Sequence, residues 1–216
     1  MIRVKICGIR HPEDAVAAAE AGASALGFNF WKGTARYILP REAARMIALV
    51  PEGLWRVGVF VDERPERVHE IAAETGVSVL QFHGSETPDY WDRFVAFKRI
   101  KAVKLAGRFP AAEVARFASP DALLLDASVK GLVGGTGQTF DWSLAEPAKA
   151  YGRVILAGGL NVDNVAEAVR RVRPWGVDVC SGVESEPGRK DPELIRKFIE
   201  TVRAVEKEIE SGSGAE

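Results

Sequence analysis

Two side chains stand out for proton chemistry, Cys7 at the end of VKIC and Asp126 at the end of LeuLeuLeuAsp. A carboxylate placed after three leucines must find a partner or hold a proton, because an isolated buried charge is too costly to desolvate. A cysteine is either a small apolar filler or a thiolate. Position within the fold decides between these readings.

Short apolar or β-branched runs recur along the chain, each followed by a stretch with helical spacing. Eight strands are expected: 4–7, 25–30, 56–61, 77–83, 99–105, 122–126, 153–157 and 176–180. Helices are expected at 12–20, 41–49, 65–74, 88–97, 111–117 and 162–172, with a last one from Pro192 capped by Asp191. Strands alternating with helices must pair in parallel, and eight such units can close into a single-domain α/β fold, an eight-stranded parallel (β/α) TIM barrel. An open doubly wound sheet would leave two units unplaced. The barrel is expected over 1–207. Residues 208–216, ending in SerGlySerGlyAlaGlu, have little to bury and read as a frayed tail.

In such a barrel alternate strand residues face inward, and the site lies where the strands end. Cys7 then shares its inward face with Lys5, Gln81 with His83, and Asp178 with Cys180, while Asp126 closes the sixth strand and Asn29 is a weaker member of the set. The first and eighth strands are neighbours, so Lys5 and Asp178 are expected to form an interior ion pair that positions the site, with Asp178 also counted among the substrate-facing groups. Gln81 and His83 are expected to touch substrate. Cys180 is expected to report only local packing. The three histidines, His11, His69 and His83, are not grouped with carboxylates as a metal site requires, and no metal or cofactor is expected.

Glycine lets backbone N–H groups approach an anion, and the loops after strands seven and eight are the usual phosphate site of these barrels. Gly158, Gly159, Ser181 and Gly182 stand in those places and predict a phosphorylated small-molecule ligand. The segment Gly131–Asp141 reads as a mobile lid, since its glycines fail the dinucleotide spacing. Arg36, flanked by Trp31 and Tyr37, is suited to gripping a carboxylate bidentately beside a planar ring.

Composition narrows the partners. The 216 residues are 47% hydrophobic and 27% charged with a formal net charge of −1, so no single-sign field favours nucleic acid or an anionic membrane. No apolar run approaches the ~18 residues of a membrane span, the N-terminus lacks signal-peptide architecture, and two cysteines are too few for a disulfide framework. A cytoplasmic enzyme is expected, with monomer and homodimer both open.

The chain resembles the phosphoribosylanthranilate isomerases of tryptophan biosynthesis. The likeness runs from Val4 to about Val205 through KICGIR, GASALGF, GVFV, QFHGSE, GGTGQTFDW, LAGGLNVDNV and GVDVCSGVESEPGRKD. It implies an Amadori rearrangement of N-(5-phosphoribosyl)anthranilate, with Cys7 as general base, Asp126 as general acid and Arg36 on the anthranilate carboxylate. Against the family pattern, Asn29 replaces a more usual apolar residue, Gly33-Thr34-Ala35 is an atypical loop, and Cys180 replaces a more usual serine. The rival readings are a lyase resembling indole-glycerol-phosphate synthase, in which Lys104 would take part, and a phosphate-binding module without catalysis.

Overall fold

Strands buried on both faces need apolar side chains on both, and the eight runs supply them. In the computed structural model, which describes residues 1–105, 107–126 and 142–212, these become β1 (Arg3–Cys7), β2 (Ala25–Asn29), β3 (Trp55–Phe60), β4 (Val79–Phe82), β5 (Lys98–Lys104), β6 (Ala122–Asp126), β7 (Val154–Ala157) and β8 (Gly176–Val179). They pair in chain order into a closed barrel, with β8 parallel to β1. Ala25, Val57, Val79, Ile100, Ala102, Leu124 and Ile155 fill its interior. Val4, Ile6, Leu26, Phe28, Phe82 and Leu123 point the other way, into the larger core beneath the helices.

The helices are α1 (Pro12–Glu20), α2 (Pro40–Ile47), α3 (Pro65–Thr75), α4 (Pro88–Trp91), α5 (Ala111–Val114), α6 (Val165–Val172) and α7 (Pro192–Gly212). Five of them, α1 to α4 and α7, open on proline, whose missing N–H costs nothing in the first turn. Asp191 caps α7 as expected, its Oδ1 accepting from the backbone N–H of Glu193 (2.8 Å) and Leu194 (3.2 Å).

Several expected boundaries move. The 88–97 helix is one α-turn followed by a 3₁₀ turn at Asp92–Phe94, and the 111–117 helix stops at Val114. Helix α6 starts at Val165 because Asn161 Oδ1 accepts from the N–H groups of Asp163 and Asn164, holding that stretch in a side-chain-capped turn. The last helix continues through Gly212 where a tail was expected. Glu208 takes two hydrogen bonds from Arg170, and Ile209 packs on the core. The lid expected at Gly131–Asp141 lies outside the described residues.

The N-terminal end of the barrel is plugged. The Arg3 guanidinium sits 5.1 and 5.0 Å from the Trp55 and Trp175 ring centroids, and Arg153 sits 5.2 Å from that of Trp175. Catalytic side chains must therefore gather at the opposite end. There a short antiparallel pair, β9 (Glu184–Glu186) and β10 (Arg189–Lys190), folds back under the end of β8.

Candidate active site

Strand parity sends Lys5 and Cys7 inward from β1. Lys5 aligns with Asp178 across the β1–β8 seam, and its Nζ lies 2.8 Å from Asp178 Oδ1 with both side chains buried. Burial alone would lower the Lys5 pKa, but the attraction of Asp178 and Cys7 overrides it and holds the ammonium charged. Burial pushes the Asp178 carboxyl up to about 7 against the pull of Lys5. The interior ion pair expected from sequence is present and ties Asp178 Oδ1 to Lys5.

Opposite Cys7 stands Gly27, where a Cβ would lie 2.7 Å from the Cys7 Sγ and 3.1 Å from Lys5 Nζ. Only glycine leaves room for thiol and ammonium together. Cys7 is itself buried, and its thiol is held well below the ordinary range. A hydrogen bond from Cys180 is the first cause, opposed by burial and assisted by the Lys5 and Lys190 charges. The same contact, with burial, pushes the Cys180 thiol up.

The expectation that Cys180 only fills space is corrected here. Its Sγ lies 3.7 Å from Lys190 Nζ and 3.9 Å from Glu184 Oε1. Lys190 is fully buried and donates to the Cys180 carbonyl at 3.0 Å and to Glu184 Oε1 at 2.9 Å. Glu184 in turn accepts from Arg36 Nε at 3.0 Å and Nη2 at 2.7 Å. Burial would raise Glu184, but Arg36 and Lys190 hold its carboxyl below the usual range. Arg36, expected to grip the substrate carboxylate, is also held by Glu184, a residue that its sequence position did not single out. A carboxylate following the second glycine loop was the available signal for Glu184; Lys190 offered none.

Across the mouth, His83 sits between two side chains. Gln81 Nε2 is 3.2 Å from His83 Nδ1, and His83 Nε2 is 3.2 Å from Asp126 Oδ2. All three were expected at the site, and the structure links them in a chain. Lys104, the residue of the lyase reading, is exposed at the end of β5 and pairs in register with Asp126.

The glycine loops meet. Gly158 and Gly159 adopt φ of +85° and +74°, and Asn161 bridges Gly182. Ser181 is exposed between β8 and Gly182. Among the described residues no group of three or more His, Cys, Asp or Glu is placed to hold a metal ion, and no helix is long and apolar enough to cross a membrane.

A closed barrel with a cysteine, a carboxylate and two packed glycine loops at the ends of its strands has the architecture of the α/β-barrel enzymes. The model of the N-(5'-phosphoribosyl)anthranilate (PRA) isomerase family matches residues 4–201. An N-(5'-phosphoribosyl)anthranilate isomerase of Trichlorobacter lovleyi is 48% identical over 204 residues, covering 94% of this chain and 98% of the relative. The crystal structure of phosphoribosyl anthranilate isomerase from Thermotoga maritima superposes with a TM-score of 0.84 at 40% identity, over 94% of this chain and all of that one (100%). A further phosphoribosyl anthranilate isomerase, in complex with reduced 1-(o-carboxyphenylamino)-1-deoxyribulose 5-phosphate, matches at 38% identity with a TM-score of 0.81 over 94% of this chain and 100% of that one. The chain belongs to the N-(5'-phosphoribosyl)anthranilate isomerase family.

Proposed function

We propose that Cys7 and Asp126 divide the proton transfers of an Amadori rearrangement between them. The reaction converts N-(5-phosphoribosyl)anthranilate to 1-(2-carboxyphenylamino)-1-deoxyribulose 5-phosphate, the isomerase step of tryptophan biosynthesis. The observation that carries the reading is a buried thiol beside the Lys5 ammonium at the end of β1, with a histidine-linked carboxyl at the end of β6.

Asp126 gives its proton to the ribose ring oxygen, the C1–O bond breaks, and the nitrogen lone pair forms an iminium. That cation acidifies the C2 proton, which the Cys7 thiolate removes. The resulting enolamine becomes the aminoketone as a proton returns to C1 and the C2 hydroxyl loses one, so none is gained or lost overall. His83 serves Asp126 in both states. A protonated Asp126 donates to Nε2 while Nδ1–H turns on the Gln81 amide oxygen; an ionised Asp126 accepts from Nε2–H while the Gln81 amide donates to Nδ1.

The substrate phosphate fits the loops of Gly158, Gly159, Ser181 and Gly182, where backbone N–H groups are exposed to an anion. Arg36 faces the anthranilate carboxylate with the guanidinium donors that Glu184 does not use. This fits the ligand seen in the related complex, which carries both a phosphate and a ring carboxylate. Incubation with the anthranilate conjugate, followed by loss of its fluorescence, is expected to show turnover that inorganic phosphate inhibits competitively. An inert chain would leave the binding-module reading.

A further inference from the structure

The hairpin of β9 and β10 carries a buried cation behind Arg36. The Lys190 ammonium meets three acceptors: Glu184 Oε1 at 2.9 Å, the Cys180 carbonyl at 3.0 Å and the Cys180 sulfur at 3.7 Å. Its three protons are thereby all directed. The backbone is fixed as well, because Asp14, buried on α1, accepts from the Lys190 N–H at 3.0 Å. Gly188 turns the hairpin at a φ of +86°, and a Cβ there would stand 2.9 Å from Arg10 Nη1, which donates to the Ala35 carbonyl next to Arg36. Hairpin and Arg36 loop hold one another.

The charges behind Arg36 do not cancel. Glu184 Oε1 accepts from both Lys190 Nζ and Arg36 Nε, at 2.9 and 3.0 Å, while Oε2 accepts from Arg36 Nη2 at 2.7 Å. Two cations share one carboxylate, so one positive charge is left over. Exposure decides where it is felt: the Lys190 side chain is 0% exposed and that of Glu184 5%, whereas that of Arg36 is 27% exposed. Asp14, a second carboxylate at the hairpin, faces Arg189 Nε at 3.9 Å and meets Lys190 at the backbone, not at the ammonium. Without Lys190, Arg36 and Glu184 would be a closed neutral pair, and an incoming carboxylate would meet the Glu184 charge along with the guanidinium.

We infer that Lys190 is a positioning residue for specificity: by offsetting Glu184 from behind, it leaves the Arg36 guanidinium with an uncompensated charge for a carboxylate on the substrate, which Lys190 itself never touches. The inference rests on Arg36 being the carboxylate contact. It separates two tasks that a lone arginine–glutamate fork would set against each other. Glu184 fixes the guanidinium plane, and Lys190 returns the charge that this fixing neutralises.

Binding calorimetry tests it with two ligands, the product with its ketone reduced and the same compound with hydrogen in place of the ring carboxylate. The ratio of their dissociation constants, the preference for the carboxylate, cancels any loss common to both. Lys190→Met is expected to lower that preference roughly tenfold, the scale of one charge removed from a partly screened site. Lys190→Met/Glu184→Gln removes both buried charges, leaves Arg36 as the uncompensated cation, and is expected to bring the preference back to within about threefold of the native value. A merely structural support would be weakened further by the second change. An unmoved preference in Lys190→Met, or a double variant that prefers the carboxylate no more than the single one, overturns the inference and leaves Arg36 as the contact. Should the single variant not fold, the double variant decides alone, and loss of the preference there overturns the inference. A native chain that binds both ligands alike overturns the role of Arg36, and that of Lys190 with it.

Discussion

Arg36 and Glu184, 148 positions apart in the chain, meet through two parallel hydrogen bonds of 3.0 and 2.7 Å. A fork–fork pair fixes the guanidinium plane as well as its place. The Arg36 head is therefore pre-set at the mouth before any ligand arrives, and little entropy is lost in using it.

If that head binds the ring carboxylate, Arg36→Met costs about 1.5 to 3 kcal/mol of binding, or roughly 10- to 150-fold in KM, with the fold intact. The comparison that checks it uses an analogue lacking the ring carboxylate. The native enzyme should bind that analogue about as poorly as the variant binds substrate. Equal native activity on both ligands would remove the role.

Removing Asp178 leaves the Lys5 ammonium buried without its partner. Asp178→Ala is expected to lower stability by about 3 to 5 kcal/mol in urea unfolding, whereas replacing both residues with apolar ones of similar volume is expected to cost far less. Near-additive losses in that double variant would contradict the reading.

Its pH dependence has a definite sign. Burial raises Asp178 in the folded state from 3.8 to about 7, so folding favours its protonated form. The stability it contributes is complete below the unfolded value and is lost as pH rises through about 7. Asp178→Asn should flatten that slope between about pH 4 and 7, and an unchanged slope would assign it to other groups.

The glycine loops are fixed by a close backbone approach at one position more than the other. A Cβ at Gly182 would stand 2.0 Å from the Leu160 carbonyl oxygen, whereas one at Gly159 would meet nothing within 4 Å. Gly182→Ala must push the loops apart and is expected to cost about 1 to 3 kcal/mol of stability together with most of the inhibition by inorganic phosphate. Gly159→Ala faces chiefly its φ of +74°, a strain of about 1 kcal/mol. Similar phosphate inhibition constants for both variants and the native chain would displace the anion site from these loops.

The eight strands, the inward face of β1 and the Lys5–Asp178 pair were legible because strand parity is a local, period-two property and closure makes the first and eighth strands neighbours. The support behind Cys7 was not. Glu184 and Lys190 reach Cys180 and Arg36 through a hairpin whose fold-back leaves no periodic mark, and a cysteine near a strand end looks the same whether it packs or donates. The early start expected for α6 and the tail expected from residue 208 fail for opposite reasons. At Asn161–Asn164, side-chain bonds to the backbone win over helix; at Glu208 and Ile209, contacts to Arg170 and the core extend it.

Single-turnover kinetics on the anthranilate conjugate with Cys7→Ser and Asp126→Asn separate the two proton transfers proposed for Cys7 and Asp126. Serine barely ionises near neutrality, and asparagine has no proton acidic enough to open the ribose ring. Each variant is expected to lower the chemical step by roughly 10² to 10⁴ while substrate affinity changes little. A Cys7→Ser or Asp126→Asn enzyme that turned over at the native rate would remove that residue from the proton transfers, and the proton would then have to pass through His83.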